Sequence, residues 1–254
     1  MTNAMAPTPI TRNAGHEYHF DGKWYPGVTT ILKVLDKSGP LMAWAARNTA
    51  EAALGMMSGP DPLYWPLSAL LSSVGPEGVV KALTSRSNWK RDEAATLGTD
   101  VHALADLHVR GEPATVPEHL RKHVDNYAEW WKGAGWTLRI SEGMVVNPEW
   151  GYGGTLDLLA YDRDGKTVLA DIKTGAKGVY REAILQETAY GAATFVQKGT
   201  ELFRMPEIDR YVIVHVTEEG VREIEINVGA LELAAWGACL DIHTWMQTQK
   251  AGKL

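Results

Sequence analysis

Apolar and polar positions change their period once along this chain, near Gly135. Before it the spacing is helical. Leu41, Trp44, Ala45, Ala52 and Ala53 recur on one face from Pro40 to about Met57, and Gly59-Pro60-Asp61-Pro62 ends the run. Two short helices are predicted near 66–73 and 76–84. A longer one runs from about Trp89 to Val109, with Asn88 as N-cap and Gly111 and Pro113 past its end. Another spans about 117–133 with Pro117 in its first turn. After Gly135 the alternation has a period of two, predicting strands over 136–146, 153–161 and 167–174. A helix over about 179–197 follows, then a hairpin of 211–216 with 221–226, then a helix over about 230–249. Ahead of all this, residues 1–15 read as a flexible tail. Residues 16–30, punctuated by Asp21-Gly22 and Pro26-Gly27, read as a hairpin or extended arm. The order, helices and then β-β-β-α-β-β-α, predicts an α/β protein: a mixed central sheet flanked by helices, with a helical N-terminal region.

Composition narrows the function classes. The 254 residues suit one large domain or two small ones. The longest uninterrupted apolar run, Leu41–Ala46, has six residues, so no bilayer-spanning segment is expected, and no basic-then-apolar leader opens the chain. The lone Cys239 excludes an intramolecular disulfide, a cysteine-rich zinc site and a four-cysteine iron–sulfur cluster, which fits a reducing cytoplasm. A net charge of -6 argues by itself against a nucleic-acid binder.

The segment 153–173 changes that picture. Asp162-Arg163-Asp164-Gly165 between two apolar runs is a hairpin signal. With a three-residue loop, Arg163-Asp164-Gly165, and Gly165 left-handed, Asp157 falls opposite Asp171 and Thr155 opposite Lys173. All four then share one face. Carboxylates placed so stand roughly 5 Å apart and repel. Shared protonation, a nearby cation such as Lys173, or a bound divalent metal would compensate. A metal held there beside a lysine suits phosphodiester hydrolysis. The alternative is an edge hairpin whose charged face is simply solvated, and a register one residue off removes the pairing.

Gly-Thr-Leu-Asp157, then Asp171-Ile172-Lys173, then Gln186-Glu187-Thr188-Ala189-Tyr190 resemble the PD-(D/E)XK nuclease superfamily, in its RecB-type exonuclease branch. Gly98-Thr99-Asp100-Val101-His102 upstream is similar to that branch's helical Gly-x-x-x-His motif, and Pro26-Gly27-Val28-Thr29-Thr30 to the start of phage-encoded members. The resemblance implies a restriction-endonuclease-like core over 89–254, behind the tail and a 16–88 arm and helical region. It implies a catalytic set of Asp157, Asp171, Lys173, Gln186 and Tyr190, the last two ordering the site and touching the DNA backbone. It makes His102, Asp157, Asp171 and the Ile172 carbonyl ligands to one or two Mg²⁺ or Mn²⁺ ions, with Glu142 as a further carboxylate from the preceding strand. The chain departs from the pattern at 171, where Asp stands for the usual Glu, and before Asp157, where no Pro stands. Cys239 alone places it with members that have no iron–sulfur cluster. Two points in the residues agree with the transfer. Gln186 and Tyr190, four apart, share a helical face. Gly98, four before His102, clears a side chain from that residue's stripe.

Two locally basic stretches offer phosphate contacts: Arg86, Lys90 and Arg91 around Trp89, read as a stacking platform on a loop, and Lys177 with Arg181 after the lysine strand. Solvated helix ends are the alternative for both. The reading is therefore a metal-dependent exodeoxyribonuclease acting on single- or double-stranded DNA ends in phage or bacterial recombination and repair, in the cytoplasm and alongside a recombination partner protein. Its rivals are an endonuclease or junction resolvase on the same fold and a non-catalytic DNA-binding module.

Overall fold

Alternation after Gly135 builds the larger of two sheets in the computed structural model, which describes residues 8–36, 38–58, 67–175 and 181–251. In chain order, the arm forms β1 (Thr11–Arg12), β2 (Glu17–Phe20), β3 (Lys23–Pro26) and a single turn, α1 (Val28–Ile31). Then come α2 (Ser38–Ser58), α3 (Leu67–Val109), α4 (Arg121–Ala134), β4 (Thr137–Asn147), β5 (Tyr152–Tyr161), β6 (Thr167–Lys173), α5 (Arg181–Gly191), β7 (Phe195–Lys198), β8 (Glu201–Arg204), β9 (Arg210–Thr217), β10 (Gly220–Ile226) and α6 (Ala230–Ala251). The protein is α/β, with a three-stranded sheet β1-β2-β3 and a seven-stranded mixed sheet ordered β10-β9-β6-β5-β4-β7-β8. Among the strands of the described residues, β6 and β9 alone pair in parallel, and the crossover between them carries α5.

The chain divides into two units: residues up to Leu35 together with Gly98 onward, and Asp36–Leu97. In the smaller unit, Ala52 on α2 and Val79 on α3 are buried. Gly75 (φ 70, ψ 178) breaks α3, and Pro76 opens its longer part, where a missing N–H costs nothing. The predicted stop at 85–88 is absent. Residues 79–97 hold neither Gly nor Pro, so the helix continues through Asn88, and Trp89 lies on a helix rather than a loop.

In the larger unit, β1 falls within the stretch that the sequence pattern assigned to a tail. Ile10 is buried; its N–H donates to Gln197 Oε1 (2.5 Å), and Gln197 Nε2 donates back to the Ile10 carbonyl (3.1 Å). Ile10, Tyr18, Phe20, Tyr25 and Val146 form one core cluster. A larger one joins Val28 and Ile31 to Leu156, Leu169, Tyr190 and Trp236. Each fully buried large side chain there contributes roughly 1.5–3 kcal/mol. The helix predicted to reach 197 ends at Gly191. Asn147 Nδ2 takes the Ala192 carbonyl (2.8 Å), and Phe195–Lys198 turns into β7 against β4, an element the pattern did not reveal. Among the described residues, no helix is long and apolar enough to cross a membrane.

Two glycines of β5 let the sheet be approached closely. A Cβ on Gly153 would collide with the Tyr18 side chain, and one on Gly154 with the Tyr190 ring. Successive residues of a strand face opposite ways, so the two tyrosines press on β5 from its two sides.

Candidate metal centre

The β5–β6 hairpin forms with the predicted register. Tyr161 pairs Thr167 and Leu158 pairs Ala170; the Asp162 N–H donates to the Lys166 carbonyl (3.0 Å), and Gly165 is left-handed at φ 77. It is not an edge hairpin, because β5 and β6 lie inside the sheet. The ladder stops at Leu158. Beyond it the Asp157 carboxylate takes the place of a backbone partner: its Oδ2 accepts the Ile172 N–H at 2.7 Å. The expected pairings of Asp157 with Asp171 and of Thr155 with Lys173 are therefore opened out. Thr155 Oγ1 instead hydrogen-bonds Tyr18 OH on the arm (2.9 Å).

Into this opening come two further side chains with metal-ligating atoms, His102 and Glu142. His102, on the last turns of α3, places Nδ1 3.3 Å from Asp157 Oδ2. Gly98 eases the approach: a Cβ there would stand 3.3 Å from Thr174 Oγ1, a tight contact. Glu142 lies between the Ser141–Leu158 and Gly143–Leu156 pairs of β4 and β5, level with Asp157. Its φ of 49 is left-handed, which costs a non-glycine residue about 1–2 kcal/mol. His102, Glu142 and Asp157 each offer a ligand atom, all within 4.8 Å of one another. One imidazole nitrogen and two carboxylate oxygens are a donor set that could hold a divalent metal ion. Burial works against a charged His102. Attraction and a hydrogen bond from Asp157 outweigh it, with help from Asp171, and its pKa rises to about 9. Burial, then the Asp157 charge, lifts Glu142 to about 7. Asp157 resists its own burial through His102, Lys173 and the Ile172 N–H, and stays below the usual carboxylate range. A protonated imidazole would supply the positive charge that a metal brings, and a metal bound here would displace that proton.

Asp171 is 1% exposed. Lys173 Nζ donates to its Oδ1 (2.7 Å) and lies 2.6 Å from its Oδ2, though not at a hydrogen-bonding angle. Nζ also reaches Gln186 Oε1 (3.5 Å), and Gln186 Nε2 donates to Tyr190 OH (3.1 Å). Burial raises the Asp171 pKa to about 6 against the pull of Lys173, the like charge of Asp157 adding to it. Lys173 is raised as well: burial disfavours its charge, but Asp171 and Asp157 hold it. Tyr190 is 3% exposed, and its hydroxyl accepts the Gln186 amide. Ile172 engages Asp157 through its N–H, and its side chain is buried. Arg181 is exposed at the start of α5, and Trp89 is 49% exposed on α3. Lys177 and the side chains of Arg86, Lys90 and Arg91 lie outside the described residues.

Three residues around the site carried no readable signal of a role. Glu187 is fully buried, neither oxygen has a hydrogen-bond partner, and burial followed by the charges of Asp171 and Asp157 pushes its pKa well up. Tyr18 anchors the arm to Thr155. His215, beside Lys173 on β9, takes the Gly175 carbonyl at 2.7 Å and an Arg222 N–H at 3.2 Å, fixing the chain where it leaves β6. A histidine amid the apolar run Tyr211–Val216 was the one available hint.

No protein-family model matches the chain, and no curated protein matches it. Among solved structures, one described as "Crystal structure of SSO0001" is similar at 17% identity and a TM-score of 0.29, over 52% of this chain and 62% of that one. This chain thus spans less than two thirds of that structure's length, and a likeness at this TM-score carries no argument.

Proposed function

We propose that the protein is a metal-dependent deoxyribonuclease on a restriction-endonuclease-like core, an exonuclease acting on DNA ends in phage or bacterial recombination and repair, and hence in the bacterial cytoplasm. One observation carries the reading: the His102, Glu142 and Asp157 ligand atoms meet within 4.8 Å at the point where β5 and β6 part, beside the Asp171–Lys173 ion pair. The mixed sheet, with α5 in the crossover from β6 to its parallel partner β9, supports it. So does the sequence order of His102, Asp157, Asp171, Lys173, Gln186 and Tyr190, which follows the resemblance noted above.

His102, Glu142 and Asp157 would hold a Mg²⁺ or Mn²⁺ ion, with Asp171 the further carboxylate on the neighbouring strand. Bound there, such an ion polarises a phosphate and lowers the pKa of a water. The chain's own groups do the rest. Lys173 keeps its proton, since its pKa is raised. Its part is to hold a water and offset phosphate charge, not to act as a base. Asp171 and Gln186 aim its ammonium, and Tyr190 fixes Gln186.

A time course on end-labelled single- and double-stranded linear DNA, with Mg²⁺ or Mn²⁺ and with closed circular DNA alongside, tests the reading. Linear DNA is expected to be degraded from its ends while circles persist. Cut circles would make the protein an endonuclease or resolvase. DNA binding without metal-dependent cleavage would make it a non-catalytic module.

A further inference from the structure

Beyond β4, on the side away from β6, the β7–β8 hairpin closes a half-open cavity of about 160 Å³ that shares no residue with the metal centre. Ile140, Leu159 and Val196 give it apolar lining; Arg139, Lys198 and Arg204 give it three cations; among the described residues no acidic one lines it. The arginines are braced by aromatic rings. Arg139 Nη1 donates to Tyr161 OH (2.6 Å) and its guanidinium carbon lies 4.9 Å from that ring's centroid, while that of Arg204 lies 5.2 Å from the Phe195 centroid. Among the described residues none of the three cations forms an ion pair, not even Lys198 with its cross-strand partner Glu201. Phe203, which also lines the cavity, is 42% exposed.

Three uncompensated cations around an exposed aromatic ring, in a chain of net charge -6, make a site for a phosphate joined to a flat ring. Its place suggests which one. The cavity flanks the strands that carry Glu142 and Asp157: the Ile140–Leu159 pair joins β4 to β5 on one side of Glu142, and Val196 pairs Val145 on the other.

We propose that this cavity is a second binding site, which holds the backbone phosphate and a stacked base of a single strand of nucleic acid extending from the metal centre. The choice of nucleic acid over another phosphate ligand rests on the deoxyribonuclease reading; the anion site itself does not.

The test is fluorescence anisotropy of a labelled single-stranded 20-mer of DNA in EDTA, where metal-dependent cleavage cannot interfere. The double variant Lys198→Gln/Arg204→Gln should bind at least tenfold more weakly and lower the slope of log affinity against log salt by about 1.4, at about 0.7 per lost cation. Phe203→Ala should weaken binding about tenfold and leave the slope unchanged. Melting temperatures matching the wild type show that β8 still folds, and Arg204→Lys, which keeps the charge, should retain the slope should the double variant fail to fold. Unchanged affinity and slope in both variants overturn the proposal. So does displacement of the 20-mer by millimolar deoxyadenosine monophosphate as effectively as by unlabelled 20-mer at equal nucleotide concentration, which marks a mononucleotide site. Wild-type cleavage, assayed separately with Mn²⁺, tests the enzymatic reading alone. Weakened variants without wild-type cleavage keep the strand site and remove that reading; cleavage with unweakened variants does the reverse.

Discussion

Asp162, at the loop end of the β5–β6 hairpin, accepts the N–H groups of Asp164 (2.9 Å) and Lys166 (3.0 Å) on one oxygen and Arg210 Nη1 (3.0 Å) on the other. Arg210 continues to both oxygens of Glu225. Burial opposes the Asp162 charge, yet these donors hold its carboxyl below the usual range. At the other end of the same two strands the acids are undersupplied. Asp171 is lifted to about 6, Glu142 to about 7, and both oxygens of Glu187 lack a partner. The two ends differ in how completely their charges are matched. The loop end is finished as structure; the open end is short of positive charge in a buried place, and a bound cation would correct that. Proteins break the rule of satisfied polar groups mainly where function compensates.

The contrast can be broken at four points. The largest effect belongs to Lys173→Ala or Asp171→Ala, which should cut metal-dependent cleavage by about 10³-fold or more while the melting transition persists. Full activity in either purified variant removes the open end as the reacting site. Next, His102→Ala should weaken Mn²⁺ binding by about tenfold or more in calorimetry; an unaltered titration takes His102 out of the ligand set. Glu187→Gln tests the undersupply directly. A carboxyl raised in the folded state contributes stability that is whole below its unfolded pKa, near 4.3, and is lost as pH climbs toward the folded value. Thermal melts in EDTA should show the wild type falling progressively further behind Glu187→Gln as the pH climbs from 5 to 8. Parallel curves would mean that Glu187 is already matched. The smallest effect, of opposite slope, is expected from Asp162→Asn. A depressed carboxyl stabilises above its unfolded pKa and loses this as pH falls through the folded one. The variant should therefore melt slightly below wild type at pH 7 and rejoin it in acid; a gap that widens in acid contradicts the assignment.

How much of this was legible in the sequence depended on distance along the chain. The Arg163-Asp164-Gly165 loop and its register are local, so Gly165 and the alternation of Asp157 and Asp171 announced them. Gln186 and Tyr190 share a face because four residues make one helical turn. What depended on remote partners stayed hidden. Nothing near Glu142 announces its left-handed backbone, and Ile10 and Gln197 meet across 187 positions. β7 and β8 are four residues each, too short to show a period, and exist because β4 offers Val145 and Val146 an edge to complete. Asn88 looked like a helix start because capping preference is local, whereas continuity through 79–97 is a property of the whole helix.

Gly153 and Gly154 give the molecule a point of mechanical leverage. Here the sheet is only a backbone thick, with a tyrosine on each side. An added methyl has no loop to push into. It would displace Tyr18, whose hydroxyl is tied to Thr155, or Tyr190, whose hydroxyl is tied to Gln186. A saturation scan of the gene should therefore show two positions without any chemistry of their own that tolerate change as poorly as the ligands. Pairing Gly154→Ala with a smaller residue at 190 should relieve the crowding there without restoring the grip on Gln186.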